Sequence, residues 1–135
     1  MNEILPLVRN LIACEDIRVD PNNPRSVTLV NLITAIRSLE NPAYPLLYRE
    51  LCVFAQLTDC RGSADVGIRI IHEDTGQFAY PGPRHSWTAP MSADPLEVVG
   101  VRFRIRNLNF PEPGLYWIQL WYNGNVLAQQ PLILR

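Results

Sequence analysis

Prolines, glycines, asparagines and aspartates interrupt this chain about every ten to fifteen residues, and the segments between them are short and apolar or alternating. The 135 residues include 12 prolines. Proline opposes helix formation because it lacks an amide hydrogen and its ring clashes with the preceding turn. Short runs bounded by such residues are typical of strands joined by turns. The pattern therefore predicts an all-β protein.

Length and composition predict one domain that spans residues 1–135, because domains usually contain about 100–200 residues. Hydrophobic residues make up 47% of the chain, which is enough for a core without metal or disulfides. The formal net charge of −1 and the pI near 6.1 predict neither a nucleic-acid partner nor an anionic membrane.

The N-terminal segment and the cysteines indicate the compartment. Met1–Asn10 has an acid where a signal peptide has its basic region, and no stretch approaches the about 18 apolar residues of a membrane span. Cys14, Cys52 and Cys60 are odd in number and form no Cys-x-x-Cys pair, so we expect reduced thiols. We therefore expect a cytoplasmic location.

The apolar runs predict eight strands. Pro81–Pro95 is predicted to be a long exposed loop, because its prolines exclude a central strand. The predicted strands are Leu7–Val19, Ser26–Ile36, Tyr48–Thr58, Asp65–Glu73, Gln77–Tyr80, Val99–Arg106, Trp117–Tyr122 and Val126–Leu134.

Two C-terminal turns carry further information. Asn123-Gly124 predicts a hairpin, because a type I′ turn needs positive φ at both central residues. Upstream, Gly114 and Tyr116 follow an apolar residue and a proline, an order that resembles the E–F corner of immunoglobulin-like sandwiches. The resemblance implies a hydrogen bond from the Tyr116 hydroxyl back to the main chain. Ile118 stands where antibody domains have cysteine, so no inter-sheet disulfide is implied.

These features together predict an antiparallel immunoglobulin-like β-sandwich of about seven to nine strands. From about Arg9 onward the chain also resembles a family of short bacterial proteins, common in planctomycetes, that is treated as a domain of unknown function. That resemblance implies the fold and brings no activity, substrate or catalytic residue. It is carried by Leu51-Cys52-Val53-Phe54, Cys60-Arg61-Gly62, Asp74-Thr75-Gly76-Gln77, Asp94-Pro95-Leu96-Glu97-Val98, Phe103-Arg104, Phe110-Pro111, Pro113-Gly114-Leu115-Tyr116-Trp117 and Trp121-Tyr122-Asn123.

The candidate binding residues lie on the predicted strand after Gly114. If the even-numbered side chains from Tyr116 to Tyr122 face the core, Trp117, Gln119 and Trp121 lie on the outer face. Exposed tryptophans are enriched at protein interfaces. We expect a non-catalytic protein-interaction module with a protein partner or a second copy of the chain. A carbohydrate-binding sandwich is one alternative.

Another alternative is that the 81–95 loop, which contains Trp87, covers both indoles within the monomer. We give this covered arrangement the same weight as exposure of the indoles to a partner. Trp87 and Arg104 are added to the candidate binding residues. Arg104 lies in a row of three arginines, Arg102 to Arg106, for which we favour a solvated strand face over an anion or acidic partner site.

The enzyme alternative is a hydrolase with a site in the loop at Arg84, His85 and Ser86. Neighbours in sequence seldom have the geometry of a catalytic dyad, so we expect no catalysis. His72 and Glu73 are consecutive on a predicted strand and point to opposite faces. We therefore expect neither a metal site nor a cofactor.

Overall fold

A computed structural model describes residues 5–83, 85–88 and 96–135. Within these residues the chain is all-β and contains no helix, which confirms the predicted fold class. The strands are β1 (Leu7–Asp20), β2 (Asn23–Leu32), β3 (Ala35–Ile36), β4 (Leu46–Thr58), β5 (Ser63–His72), β6 (Phe78–Tyr80), β7 (His85–Thr88), β8 (Val99–Phe110), β9 (Gly114–Tyr122) and β10 (Asn125–Leu134).

The strands form two sheets. The first sheet is antiparallel and has the order β2-β1-β4-β8. The second has the order β3-β10-β9-β5-β6, and β7 also pairs with β5. Only the short β3 runs parallel to its neighbour among the described strands of the second sheet. Strand β8 therefore forms one edge of the first sheet.

The inner faces of the two sheets share one core. Alternate residues of β4 and β9, such as Leu51, Val53, Tyr116 and Ile118, are at most 1% exposed because successive side chains of a strand point to opposite faces. Burying each large apolar side chain stabilises the fold by about 1.5–3 kcal/mol. The cluster also includes Leu11, Ala13, Ala55, Leu57, Ile68, Ile70, Val101, Ile105, Leu108, Phe110, Leu120, Leu132 and Leu134.

The corner before β9 is tightly packed around Tyr116. The Tyr116 hydroxyl donates a hydrogen bond of 2.6 Å to the Glu112 carbonyl oxygen. The rings of His72 and Phe110 meet the Tyr116 ring edge-on, with centroids 4.7 and 5.1 Å away. Gly114 has a φ of 128°, and a Cβ there would lie 2.9 Å from the His72 Nε2. No other residue fits this turn without displacing the histidine.

The β9–β10 turn has the backbone that its sequence predicts. Asn123 and Gly124 have φ values of 48° and 81°, and the flanking strands pair antiparallel. A two-residue turn with positive φ at both positions follows the right-handed twist of the strands.

Two predicted segments differ in the structure. The predicted strand Ser26–Ile36 is divided, because β2 ends at Leu32 and the chain then crosses to the second sheet, where Ala35 and Ile36 pair with β10. Within the predicted 81–95 loop, His85–Thr88 forms β7 by pairing with β5. Arg84 and residues 89–95 lie outside the described residues.

Candidate functional site

Strand β9 turns its tryptophans to the outer face of the second sheet. Its even-numbered residues Tyr116 to Tyr122 are at most 3% exposed, whereas Trp117, Gln119 and Trp121 are half-buried on the opposite side. The inward and outward positions of this strand are therefore those that the sequence predicts.

Trp117 is held by an acidic neighbour. Its indole nitrogen donates a hydrogen bond to the Glu73 carboxylate. The Glu73 amide donates 2.9 Å to the Leu115 carbonyl oxygen, which ties the turn after β5 to β9. The Glu73 carboxylate therefore positions the Trp117 ring on the outer face of a central strand.

Trp121 is held by a cation. The guanidinium carbon of Arg69 lies 3.8 Å from the centroid of the Trp121 ring, which is a cation–π contact. The Trp121 indole nitrogen donates a hydrogen bond of 3.3 Å to the Gln119 side-chain oxygen. The Gln119 side-chain nitrogen donates one of 3.2 Å to the side-chain oxygen of Gln129 on β10. A polar row thus runs between the two tryptophans.

Apolar residues of adjacent strands extend the surface around Trp117. Ile71 and Pro131 lie directly opposite Trp117 on the two neighbouring strands, and Phe78 lies opposite Ile71. The side chain of Phe78 is 46% exposed. The result is an apolar row that crosses four strands.

Further apolar positions flank this row. Val126 lies opposite Trp121 and Ile133 opposite Leu115, and their exposed fractions are 43% and 39%. We call this surface the tryptophan face. Its residues are Arg69, Ile71, Phe78, Leu115, Trp117, Gln119, Trp121, Val126, Gln129, Pro131 and Ile133.

Trp87, a candidate binding residue of the sequence, does not lie on the tryptophan face with Trp117 and Trp121. Trp87 lies opposite Ala64, which points inward. Its side chain packs against the cluster of Ala64, Val66 and Tyr122 on the inner side of the sheet. The described part of the 81–95 loop therefore places its tryptophan on the side of the sheet away from Trp121.

Arg104 lies on the first sheet, apart from the tryptophan face. Its guanidinium donates hydrogen bonds of 3.0 Å to the Asp16 carboxylate and 3.2 Å to the Glu50 carboxylate. Arg106 donates a hydrogen bond of 3.3 Å to the same Glu50 oxygen. Hydrogen bonding to Arg104 holds the pKa values of both carboxylates below their usual range. The charge of Arg104 is thus balanced within the chain.

Two buried cysteines lie beside this ion-pair network. Cys14 and Cys52 are opposite each other on β1 and β4 and have free thiols. Burial raises the pKa of Cys14 to about 11 and also raises that of Cys52. Both thiols are therefore protonated and unreactive near neutral pH.

The histidines show no catalytic arrangement in the described residues. His85 and Ser86 are consecutive on β7, so their side chains point to opposite sides, and the Ser86 hydroxyl lies 3.4 Å from an Asp65 oxygen. The buried His72 accepts hydrogen bonds from the amides of Asp74 and Thr75 at its Nδ1. Its Nε2 donates 3.0 Å to the Pro113 carbonyl oxygen, so the ring organises two turns.

The described residues contain neither a cluster of metal ligands nor a membrane-spanning helix. In residues 5–83, 85–88 and 96–135, no group of three or more His, Cys, Asp or Glu side chains is arranged to hold a metal ion. Nor does the part of the chain that the structure describes contain a helix of the length and hydropathy needed to cross a membrane.

Comparison with known proteins identifies a family. The model of a family of unknown function, DUF6941, matches residues 11–135, and the chain belongs to this family. No curated protein matches the chain.

One similar solved structure is an alkylpurine DNA glycosylase of Pseudomonas fluorescens, AlkC, bound to DNA that contains an abasic-site analogue. The TM-score is 0.46 and the sequence identity 15%, and the match covers 93% of this chain but 30% of the glycosylase chain. This chain therefore spans less than a third of that protein, and a likeness at this level assigns no ligand.

The comparison does correct one expectation. The near-zero net charge predicted no nucleic-acid partner, and that prediction was wrong as an exclusion; the glycosylase, whose likeness assigns no ligand here, is itself bound to DNA. Net charge is a property of the whole chain and does not describe the charge of each surface.

Proposed function

We propose that this member of the DUF6941 family is a non-catalytic protein-interaction module that binds another protein, or a second copy of itself, through the tryptophan face. The observation that carries the proposal is the apolar row of Phe78, Ile71, Trp117 and Pro131 across four adjacent strands. Contiguous apolar surface of this kind on a folded protein marks an interaction site.

The chemistry of the face supports a protein partner. Tryptophan and arginine are enriched among residues that dominate binding energy, and Trp121 and Arg69 are already stacked on each other. Trp117 is pre-positioned by its hydrogen bond to Glu73. Side chains that are ordered before binding lose less conformational entropy in the complex.

A carbohydrate is the second candidate, because two indoles on one strand can stack on sugar rings. The glutamines between the tryptophans would supply hydrogen bonds to hydroxyl groups. Against this, the apolar row crosses the strands and continues to Phe78, whereas a sugar chain needs polar partners along each ring. The protein partner therefore agrees better with the surface.

We also propose that the chain is one domain with an immunoglobulin-like sandwich fold. The hydrogen bond from Tyr116 to the Glu112 carbonyl, together with two sheets that share one core, supports an immunoglobulin-like sandwich. The single core and the family match over residues 11–135 support one domain. The opposite directions of His85 and Ser86 support the absence of hydrolase activity.

A double substitution tests the proposal. We expect Trp117→Ala with Trp121→Ala to abolish self-association in sedimentation, or to remove specific proteins from a quantitative affinity capture. Leu47→Ala is the matched control, because Leu47 is 77% exposed and belongs to the first sheet. Circular dichroism would establish that both variants are folded.

Two outcomes would count against the proposal. If the mass in solution and the captured proteins were the same for the wild type and the double variant, the tryptophan face would have no binding role. If tryptophan fluorescence instead changed with members of a glycan panel, and this response were lost in the double variant, the carbohydrate candidate would replace the protein partner.

A further inference from the structure

The edge of β8 away from β4 carries main-chain hydrogen-bonding groups along 12 residues, and the short β6 of the second sheet contacts β8 without pairing with it. The only neighbour of β8 in the described sheet is β4, and none of the other main-chain hydrogen bonds between described residues involves β8. In an antiparallel pair, alternate residues direct their amide and carbonyl groups away from the partner strand. These groups form a template for one more strand.

A cavity of about 290 Å³ runs along this edge. All residues from Val101 to Ile105 line it, although their side chains alternate between the two faces. The cavity therefore opens along the strand edge and not beneath one face alone. Its other wall belongs to the second sheet and includes Ile68, Tyr80 and Trp87.

The cavity can accept a large apolar side chain. Trp87 and Phe103 are only half-buried there, although both face the interior and pack against the cores. A closed apolar cavity of about 150 Å³ already binds benzene. The volume between the sheets thus fits one aliphatic or aromatic side chain from outside.

The arginines of β8 indicate which residues of a partner would flank the apolar side chain that enters the cavity. Arg102 is exposed, and no ion pair joins it to a carboxylate among the described residues, in contrast to Arg104 and Arg106. Opposite charges on facing strand positions stabilise a sheet, whereas like charges destabilise it. Pairing of two β8 edges would set arginine rows against each other, which disfavours a second copy as the occupant.

We infer that β8 binds an extended segment of a partner protein by strand addition. In this segment acidic residues alternate with apolar ones: the carboxylates lie opposite Arg102 and its row, and one apolar side chain enters the cavity between the sheets. Strand addition to a sheet edge derives affinity from main-chain hydrogen bonds and specificity from alternate side chains. This site is separate from the tryptophan face and does not depend on it.

The test uses two fluorescein-labelled heptapeptides and the whole chain. In one peptide glutamate alternates with leucine around a central phenylalanine, and in the other lysine replaces each glutamate. We expect fluorescence anisotropy to show binding of the glutamate peptide, at least tenfold tighter than the lysine peptide. We also expect hydrogen exchange of the Val99–Phe110 amides to slow when the glutamate peptide binds.

Substitutions locate the site. We expect Arg102→Glu to weaken the glutamate peptide about fivefold and to strengthen the lysine peptide. The matched control Arg37→Glu changes the same charge at an exposed position after β3 and should have no effect. The Trp117→Ala and Trp121→Ala double variant should bind the peptide normally, so failure of the proposed function would be distinguishable from failure of this inference.

Equal affinities for the two peptides, equal effects of Arg102→Glu and Arg37→Glu, or unchanged exchange of the β8 amides would each overturn strand addition at this edge.

Discussion

The outer faces of the two sheets differ in how far they bury their aromatic side chains. On the first sheet, the outward-facing Phe54 is only 5% exposed, since it packs with Cys14 and Cys52 in a cluster that Val27 and Leu29 also contact. On the second sheet, the outward-facing Phe78 is 46% exposed. Both rings belong to outward positions of their strands. An outer face thus becomes a small second core where side chains of its own strands pack against one another.

The arginines on the outer faces of the two sheets also differ in their contacts. On the first sheet Arg104 joins Asp16 and Glu50 in one network. On the second sheet Arg69 stacks on Trp121, with no carboxylate ion pair found for it among the described residues. Around Phe54 and Arg104 the first face is therefore closed on itself, in apolar contacts and in ion pairs respectively. The second retains exposed aromatic and apolar groups of the kind that interfaces use, which is why we propose that it binds a partner.

The largest expected loss of stability follows from removal of the Phe54 ring, which packs in the cluster on the first face. We expect Phe54→Ala to lower the free energy of unfolding by about 3–5 kcal/mol, because it leaves a cavity in a packed cluster. Phe78→Ala is the matched control on the second face and should change stability by less than about 0.5 kcal/mol. Urea unfolding of the two variants measures both values, and similar losses would contradict the contrast between the faces.

A smaller effect is expected for the second face itself. Trp121→Ala should lower stability by about 1 kcal/mol, since it removes a cation–π contact and a half-buried ring. Thermal unfolding of this variant beside Gln129→Ala, a neighbour without an aromatic ring, isolates the contribution of the indole. A loss as large as that of Phe54→Ala would show that Trp121 is a core residue and would remove it from the binding surface.

The smallest effect concerns the pH dependence of the first face. Arg104 lowers the pKa values of Asp16 and Glu50 in the folded chain, so these carboxylates stabilise the fold above their unfolded pKa values. That contribution is lost as the pH falls through the lowered folded values. We expect Arg104→Met to reduce the acid-induced loss of stability below about pH 4.5.

Urea unfolding at pH values from 7 to about 3 measures this slope. Arg37→Met serves as the control, because Arg37 is exposed and no ion pair involving it is found in the described residues. If the two variants had the same pH dependence, the ion-pair network would contribute nothing to the closure of the first face.

Sequence reasoning was most successful where the backbone geometry alone decides the outcome. The side-chain directions of Tyr116 and Trp117 follow from the two-residue period of a strand, and the Asn123-Gly124 turn follows from the φ values that these residues tolerate. It was less successful where neighbours decide. Trp87 was grouped with the other tryptophans, although pairing of β7 with β5 turns it inward.

Some residues of the tryptophan face carried no signal in the sequence. Phe78 belongs to a strand far from Trp117 along the chain and lies opposite Ile71, which pairs with Trp117. Pro131 lies opposite Trp117 itself, on the next strand along the chain, in a register that includes a shift. Register depends on which strands become neighbours and on irregularities such as the shift after Val126. Such information is not contained in any local pattern.

The amino-acid sequence by itself determined that this chain forms strands and which side of β9 faces inward, because both depend on local backbone preferences and on side-chain alternation. The tertiary structure alone decided which outer face stays open and which strand is left at an edge. Those outcomes depend on the order of strands in each sheet, and strand order is a property of contacts between residues far apart in the chain.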